Sequence, residues 1–141
     1  MTLSIWKPPS DLPNLLNANI ISIDTETNDP NLKKLGPGGV RNDGHLAGIS
    51  IATDTGFVKY FPIGHASGNM DKKVVVSWLK KQLSTNIPKC GANLLYDLEW
   101  LHTEGINVSG PLYDVQIAEP LLNENKLSFA LQSLAIEYLG E

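Results

Sequence analysis

The chain has 141 residues, 42% hydrophobic and 18% charged, with a net charge of −4 and a pI near 5.3. That length supports one hydrophobic core and is short for two, and the acidic balance excludes a broad basic field, although a site that holds cations recruits phosphates without one. The single cysteine, Cys90, excludes an internal disulfide, and no leader or long apolar run marks secretion or a membrane, so a reducing cytoplasm is expected.

Prolines at 8, 9 and 13 make residues 1–19 an irregular lead-in, leaving 20–141 for the domain. Ile20, Ile21 and Ile23 are β-branched and predict a first strand over about 20–26. A long Gly/Pro/Asn-rich loop follows over 28–44, of the kind that is functional or disordered. Two β-rich runs then flank Asp54-Thr55-Gly56, a turn signal that predicts an antiparallel hairpin. From residue 71 the period changes: Val75, Trp78, Leu79 and Leu83 form one helical stripe behind Asp71 as N-cap. A short strand "IPKC" precedes a helix from about Asn93 to Thr103 that Gly105 closes. Another helix starts after Asp114, bent or ended by Pro120, and a last one runs toward Gly140. Three early strands followed by alternating helix and strand predict an α/β domain with a mixed sheet.

Asp24 and Glu26 are the unusual feature. Side chains at i and i+2 of a strand leave the same face, so two carboxylates look into one space. On the residues alone two readings stand: a strand end entering a polar turn, its acids solvated, or a hard-metal site in which a cation relieves the repulsion. The second acidic pair, Asp97 and Glu99, falls on a helix that points its members about 200° apart. Helical spacing puts Asn93 and Asp97 on one face and Leu94, Leu98 and Leu101 on the buried stripe. Asp97 is therefore expected off the apolar face, near a helix N-terminus that favours an acid. The "GPGG" at 36–39 lacks the lysine of a phosphate loop, and His45, His65 and His102 show no zinc spacing. Glu104 and Asp114 are weaker candidates for an acidic cleft.

Together, Asp24-Thr25-Glu26-Thr27 after an Ile-rich strand, "KYFPIGH", "KCGANLLYDLEWL", "GPLYDVQIAEPLLNEN" and "SFALQSLAIEYLG" resemble the 3′-to-5′ exonuclease (proofreading) domain of family A DNA polymerases, the DNA polymerase I type. The resemblance implies a DEDD, or DnaQ-like, exonuclease of ribonuclease H-like fold, its first three strands antiparallel and the later ones parallel, with flanking helices. It implies that Asp24, Glu26 and Asp97 are catalytic and hold two divalent cations, Mg²⁺ or Mn²⁺. Thr25, Thr27 and Asn93 would contact the terminal nucleotide, and Tyr96 would pack beneath the site. The substrate would be the 3′ end of single-stranded DNA. The partner would be a polymerase domain, in the parent protein or as a separate chain, in the cytoplasm, at the nucleoid or in a phage host's cytoplasm. "FPIGH" favours this reading over RNase D-like RNA trimming.

The family completes its metal shell with a fourth acid on a later helix, preceded by a tyrosine or histidine that orients water. Tyr138 and Glu141 do not match that motif. The exonuclease domain over 20–141 is thus expected to be partial, C-terminally incomplete, and weak or inactive alone. The alternative is a noncatalytic nucleic-acid-binding or scaffold fragment of a polymerase. Leu32 or Leu35 would supply the family's apolar wedge near the terminal base.

Overall fold

Alternation of buried and exposed residues along the isoleucine-rich run builds β1 (Ile21–Asn28), whose Ile21 and Ile23 are fully buried while Asp24 and Glu26 face outward. The computed structural model describes residues 6–140. After β1 come α1 (Leu32–Leu35), β2 (His45–Thr53), β3 (Val58–Pro62), α2 (Lys72–Leu83), β4 (Lys89–Gly91), α3 (Leu94–Thr103), β5 (Leu112–Asp114), α4 (Val115–Leu122) and α5 (Leu131–Leu139). The five strands form one sheet in the order β3-β2-β1-β4-β5. β1, β2 and β3 pair antiparallel, while β4 joins β1, and β5 joins β4, in parallel. This is the mixed sheet that the element pattern predicts, with the antiparallel and parallel strands that the family resemblance implies.

A bulge in β2 sets the faces. Glu26 pairs with Gly48 and Thr27 with Leu46, so one extra residue intervenes on β2. Leu46 and Ile49, three apart, thereby both reach the core, at 1% and 0% exposure. One sheet face packs on α2 and α3 through Phe61, Trp78, Leu79, Leu83, Leu94 and Leu101. The opposite face carries Asp24, Ser50 and Tyr60 in one cross-strand row and Glu26, Gly48 and Pro62 in the next.

Asp71 caps α2 as expected, accepting from the backbone N–H of Lys73 and Val74 at 2.9 and 3.1 Å. The lead-in docks on the same helix: Gln82 accepts from the Leu15 N–H at 2.9 Å, and the Trp78 indole donates to the Pro13 carbonyl at 2.7 Å. The loop after β1 contains α1 and is ordered by its own polar groups. Arg41 donates to the carbonyls of Leu35 and Pro37, and Asn31 donates to Asp43. Pro120 lies within α4, two residues before its end. Between α4 and α5, Glu119 pairs with Lys126 and accepts from the Tyr138 hydroxyl at 3.0 Å, while Lys126 also pairs with Glu137 at 2.8 Å.

Candidate active site

Asp97 is where the structure departs most from the sequence expectation. It lies on the buried face of α3 with Leu94, Trp100 and Leu101, not off it, and is only 4% exposed. A carboxylate there needs donors, and β1 supplies them. β4 follows β1 only as far as Ile21 and Ser22, so beyond that point the β4 side of β1 has no strand partner in the ladder. Asp97 occupies the vacated edge: its Oδ1 accepts from the Thr25 N–H at 2.8 Å and from the Thr25 hydroxyl at 2.6 Å. Thr25, expected as a nucleotide contact, is thus the group that orients Asp97.

Tyr96, the residue before Asp97, ties the same two elements together. Its hydroxyl bonds with the Thr27 hydroxyl at 2.8 Å and donates to Asp29 Oδ2 at 3.2 Å, while its ring meets Trp100 edge-on. The expected packing role holds, with a polar tip added. Asp29 also accepts from the Gly38 N–H at 2.9 Å, and Glu99 accepts from the Val40 N–H at 2.8 Å. The loop over 36–43 is therefore fastened to β1 and α3. Asp29 was missed because nothing in its local sequence separates it from an ordinary turn aspartate.

Asp114 belongs to the scaffold. Its carboxylate accepts from the N–H groups of Asn93 and Leu94 at 3.1 and 2.6 Å and from Gln116 at 2.8 Å, capping α3 and α4 together. Glu104 pairs with Lys72 at 2.6 Å, away from the acids on β1. Asn93 sits exposed at the start of α3 in the left-handed region, at φ 59°, and its side chain makes no cap bond. It lines a cleft of about 290 Å³ with Leu32, Leu95 and Tyr96. Leu32 is therefore the leucine placed beside Asn93; Leu35 stands outside the cleft lining, 55% exposed. Tyr138 is bound to Glu119 between the last helices, and Glu141 lies outside the described residues.

Electrostatics couple two of the three acids. Desolvation raises the Asp24 pKa although its side chain opens to solvent. The Asp97 pKa is raised first by burial and further by the Asp24 charge, against the lowering effect of the Thr25 bonds. Glu26 stands two residues along the strand, and its charge bears on Tyr60. Among the described residues no three His, Cys, Asp or Glu side chains are close enough to share an ion. The residues fit a hard cation in another respect: no Lys, Arg or His among those described pairs with Asp24, Glu26 or Asp97. Among the described residues Asp97 Oδ2 has no hydrogen-bond partner, and it is not sealed from solvent. All-oxygen carboxylate donors of this kind suit Mg²⁺ or Mn²⁺.

An α/β sheet with acids on its central strand and a third acid on the facing helix is the arrangement expected of a nuclease domain of ribonuclease H-like fold. The chain belongs to the 3′-5′ exonuclease family of family A DNA polymerases, with a match over residues 10–140. It is 40% identical over 139 residues to a DNA-directed DNA polymerase of Pseudomonas phage M6, covering 94% of this chain and 21% of that protein. The chain thus spans about a fifth of that relative's length. Its similarity to DNA polymerase I of Chloroflexus aurantiacus is 35% over 83 residues, or 57% of this chain and 9% of that one. Among solved structures, Brucella melitensis NrnC with bound Mg²⁺ shares the fold at a TM-score of 0.67 and 22% identity, over 96% of this chain and 60% of that one. Among the described residues no helix is long and apolar enough to cross a membrane.

Proposed function

We propose that this domain removes nucleotides from the 3′ end of single-stranded DNA by divalent-metal-dependent hydrolysis, as the proofreading module of a DNA polymerase. The observation that carries it is the Asp24–Asp97 pair: two carboxylates whose charges oppose each other, paired with no cation among the described residues, one of them fixed by Thr25. Such a pair is stabilised by a bound divalent ion. NrnC, which shares the fold, has been seen with Mg²⁺ and with pGG, which agrees with this reading.

In this reading Asp24, Glu26 and Asp97 hold the ions, and Asn93 contacts the terminal nucleotide from the mouth of the Leu32–Tyr96 cleft. When bound, the ions supply a nucleophile at neutral pH and offset charge on the leaving 3′ oxygen. The chain's own part is positional. Thr25 holds Asp97 Oδ1 and leaves Oδ2 for an ion, Tyr96 and Thr27 lock α3 to β1, and Leu32 with Leu95 gives the terminal base an apolar wall.

Titration calorimetry with Mn²⁺ on the wild type and on Asp24→Ala tests the site. Binding in the wild type that disappears in the variant is expected; equal affinity in both removes the site. In the full-length protein, Mg²⁺-dependent shortening of a 3′-labelled single strand is expected, abolished by Asp24→Ala. A 3′ end trimmed only when it is RNA would overturn the DNA assignment.

A further inference from the structure

The outward sheet face does not end at the acids. Asp24 is opposite Ser50, and Ser50 is opposite Tyr60, so all three side chains share that face, Tyr60 two strand spacings or roughly 10 Å from Asp24. A Cβ at Gly48 would collide with the Tyr60 hydroxyl, so glycine there lets the ring lie across the sheet. The hydroxyl bonds to His65 Nε2 at 2.5 Å, which fixes the ring, and Trp6 lies against it at 6.0 Å between centroids. Trp6 is 59% exposed, whereas Trp78 and Trp100 are 8% and 1% exposed. A large aromatic ring left open to water beside a second one is unusual for a surface.

Two clefts share this Trp6–Tyr60 pair. One, of about 450 Å³, is walled by Lys7, Ser10, Asp11 and Ser50; the other, of about 500 Å³, by Pro8, Pro62 and Ala66. Polar groups, with Lys7 and Asp11 at the rim, lie on one side of the rings, and mostly apolar surface on the other. That division matches the two parts of a nucleotide, an anionic phosphate and a flat base.

We propose that Trp6 and Tyr60 form a second nucleotide-binding subsite, which stacks a base of the single strand while Lys7 faces its phosphate. This rests on the nucleic-acid reading above. The acids then lie between two contacts on the strand: the Leu32–Asn93 cleft takes the terminal nucleotide, and the Trp6–Tyr60 platform takes one further upstream.

Because Trp6 is the exposed tryptophan, its fluorescence reports the site directly. In EDTA, where no cleavage intervenes, oligo(dT) of ten nucleotides is expected to quench the emission, and Trp6→Phe to lose the quenching. By anisotropy of a labelled oligo(dT), Trp6→Ala is expected to weaken binding about 5-fold or more, and Lys7→Ala to lower the salt slope by roughly 0.7. Quenching by the strand alone supports a strand contact, and equal quenching by dTMP supports the same site with a released nucleotide as ligand. Unchanged emission, or equal affinity in wild type and Trp6→Ala, overturns the subsite. If the full-length protein still shortens a 3′-labelled strand in Mg²⁺ in that case, the exonuclease reading survives.

Discussion

Two regions of the molecule bury acids, and they do so in opposite ways. At the junction of β1 and α3, Asp97 accepts two bonds from uncharged donors on Thr25, beside another acid, within a core of fully buried Leu101, Ile23 and Ile21. Between α4 and α5, Glu119 is held by Lys126 and Tyr138, while leucines around it point outward: Leu121 is 83% exposed and Leu122 77%. The first arrangement leaves negative charge uncompensated and supports it with packing. The second neutralises its charge and has little packing to spare. In the proposed reading only the first suits a cation, because only there does an arriving ion gain something that the protein does not already provide.

The sharpest break of this contrast comes at Asp97. Asp97→Asn keeps an oxygen for both Thr25 donors and removes the charge, so nuclease activity of the full-length protein should fall on the order of 10³-fold while folding survives. Asp97→Ala should lose as much activity and, in addition, about 2–4 kcal/mol of stability, because the Thr25 N–H and hydroxyl are left unpaired. Urea melts beside a timed 3′-end assay separate the two. Two variants of equal stability would mean that the Thr25 bonds do not support the fold.

Packing gives the next largest difference. Leu101→Ala empties a site at 0% exposure and should cost about 2–5 kcal/mol, whereas Leu121→Ala on the outward face of α4 should stay within about 0.5 kcal/mol. Chemical denaturation of the two variants decides it. A comparable loss at Leu121 would show that the α4–α5 face is covered in solution.

How much of this was legible in the sequence follows the range of the forces involved. The alternating isoleucines declared β1, and the stripe of Val75, Trp78, Leu79 and Leu83 declared α2, because each pattern reports its own element's buried face. The Asp-x-Glu pair on a strand pointed at a cation for the same local reason. Asp97's burial was not legible, since it depends on Thr25, 72 residues away, and on β4 ending early enough to leave an edge free. β5 is three residues long and has no period to read. The β2 bulge hid in Leu46 and Ile49, whose spacing of three looks wrong for a strand until Ala47 is given an extra place. On sequence alone the loop over 28–44 reads as either functional or disordered, because its order comes from Arg41, Asp29 and Glu99 acting on backbone groups, not from hydrophobic pattern.

A smaller effect tests the fastening of the site. Tyr96→Phe keeps the ring against Trp100 and removes the bonds to Thr27 and Asp29. A cost of about 0.5–1.5 kcal/mol is expected, together with faster amide exchange at Gly38 and Val40, whose loop Asp29 and Glu99 hold. Unaltered exchange there would separate the loop from the site.

The smallest effect, and the one that sets the two regions directly against each other, is pH dependence without metal. Asp24 and Asp97 have raised pKa values, so the native state holds more protons than the unfolded chain between the ordinary aspartate value and the raised one. Stability from these groups falls as pH rises through that window, and above it the native state carries the cost of two opposed charges. Glu119 has a lowered pKa, caused first by its bond with Lys126, so its contribution is present above the ordinary glutamate value and is lost as pH falls through the lowered one. In EDTA at neutral pH, Asp97→Asn should therefore melt slightly above the wild type and Glu119→Gln below it. Both differences should shrink toward zero in acid, where protonated Asp97 and Glu119 resemble the amides that replace them. Mg²⁺ should raise the wild type at neutral pH and leave Asp97→Asn nearly unmoved, since the ion binds where the charge is. Melting shifts of the same sign in the two variants would show that Asp97, like Glu119, already has a partner of opposite charge, and the case for a cation at β1 would fall with it.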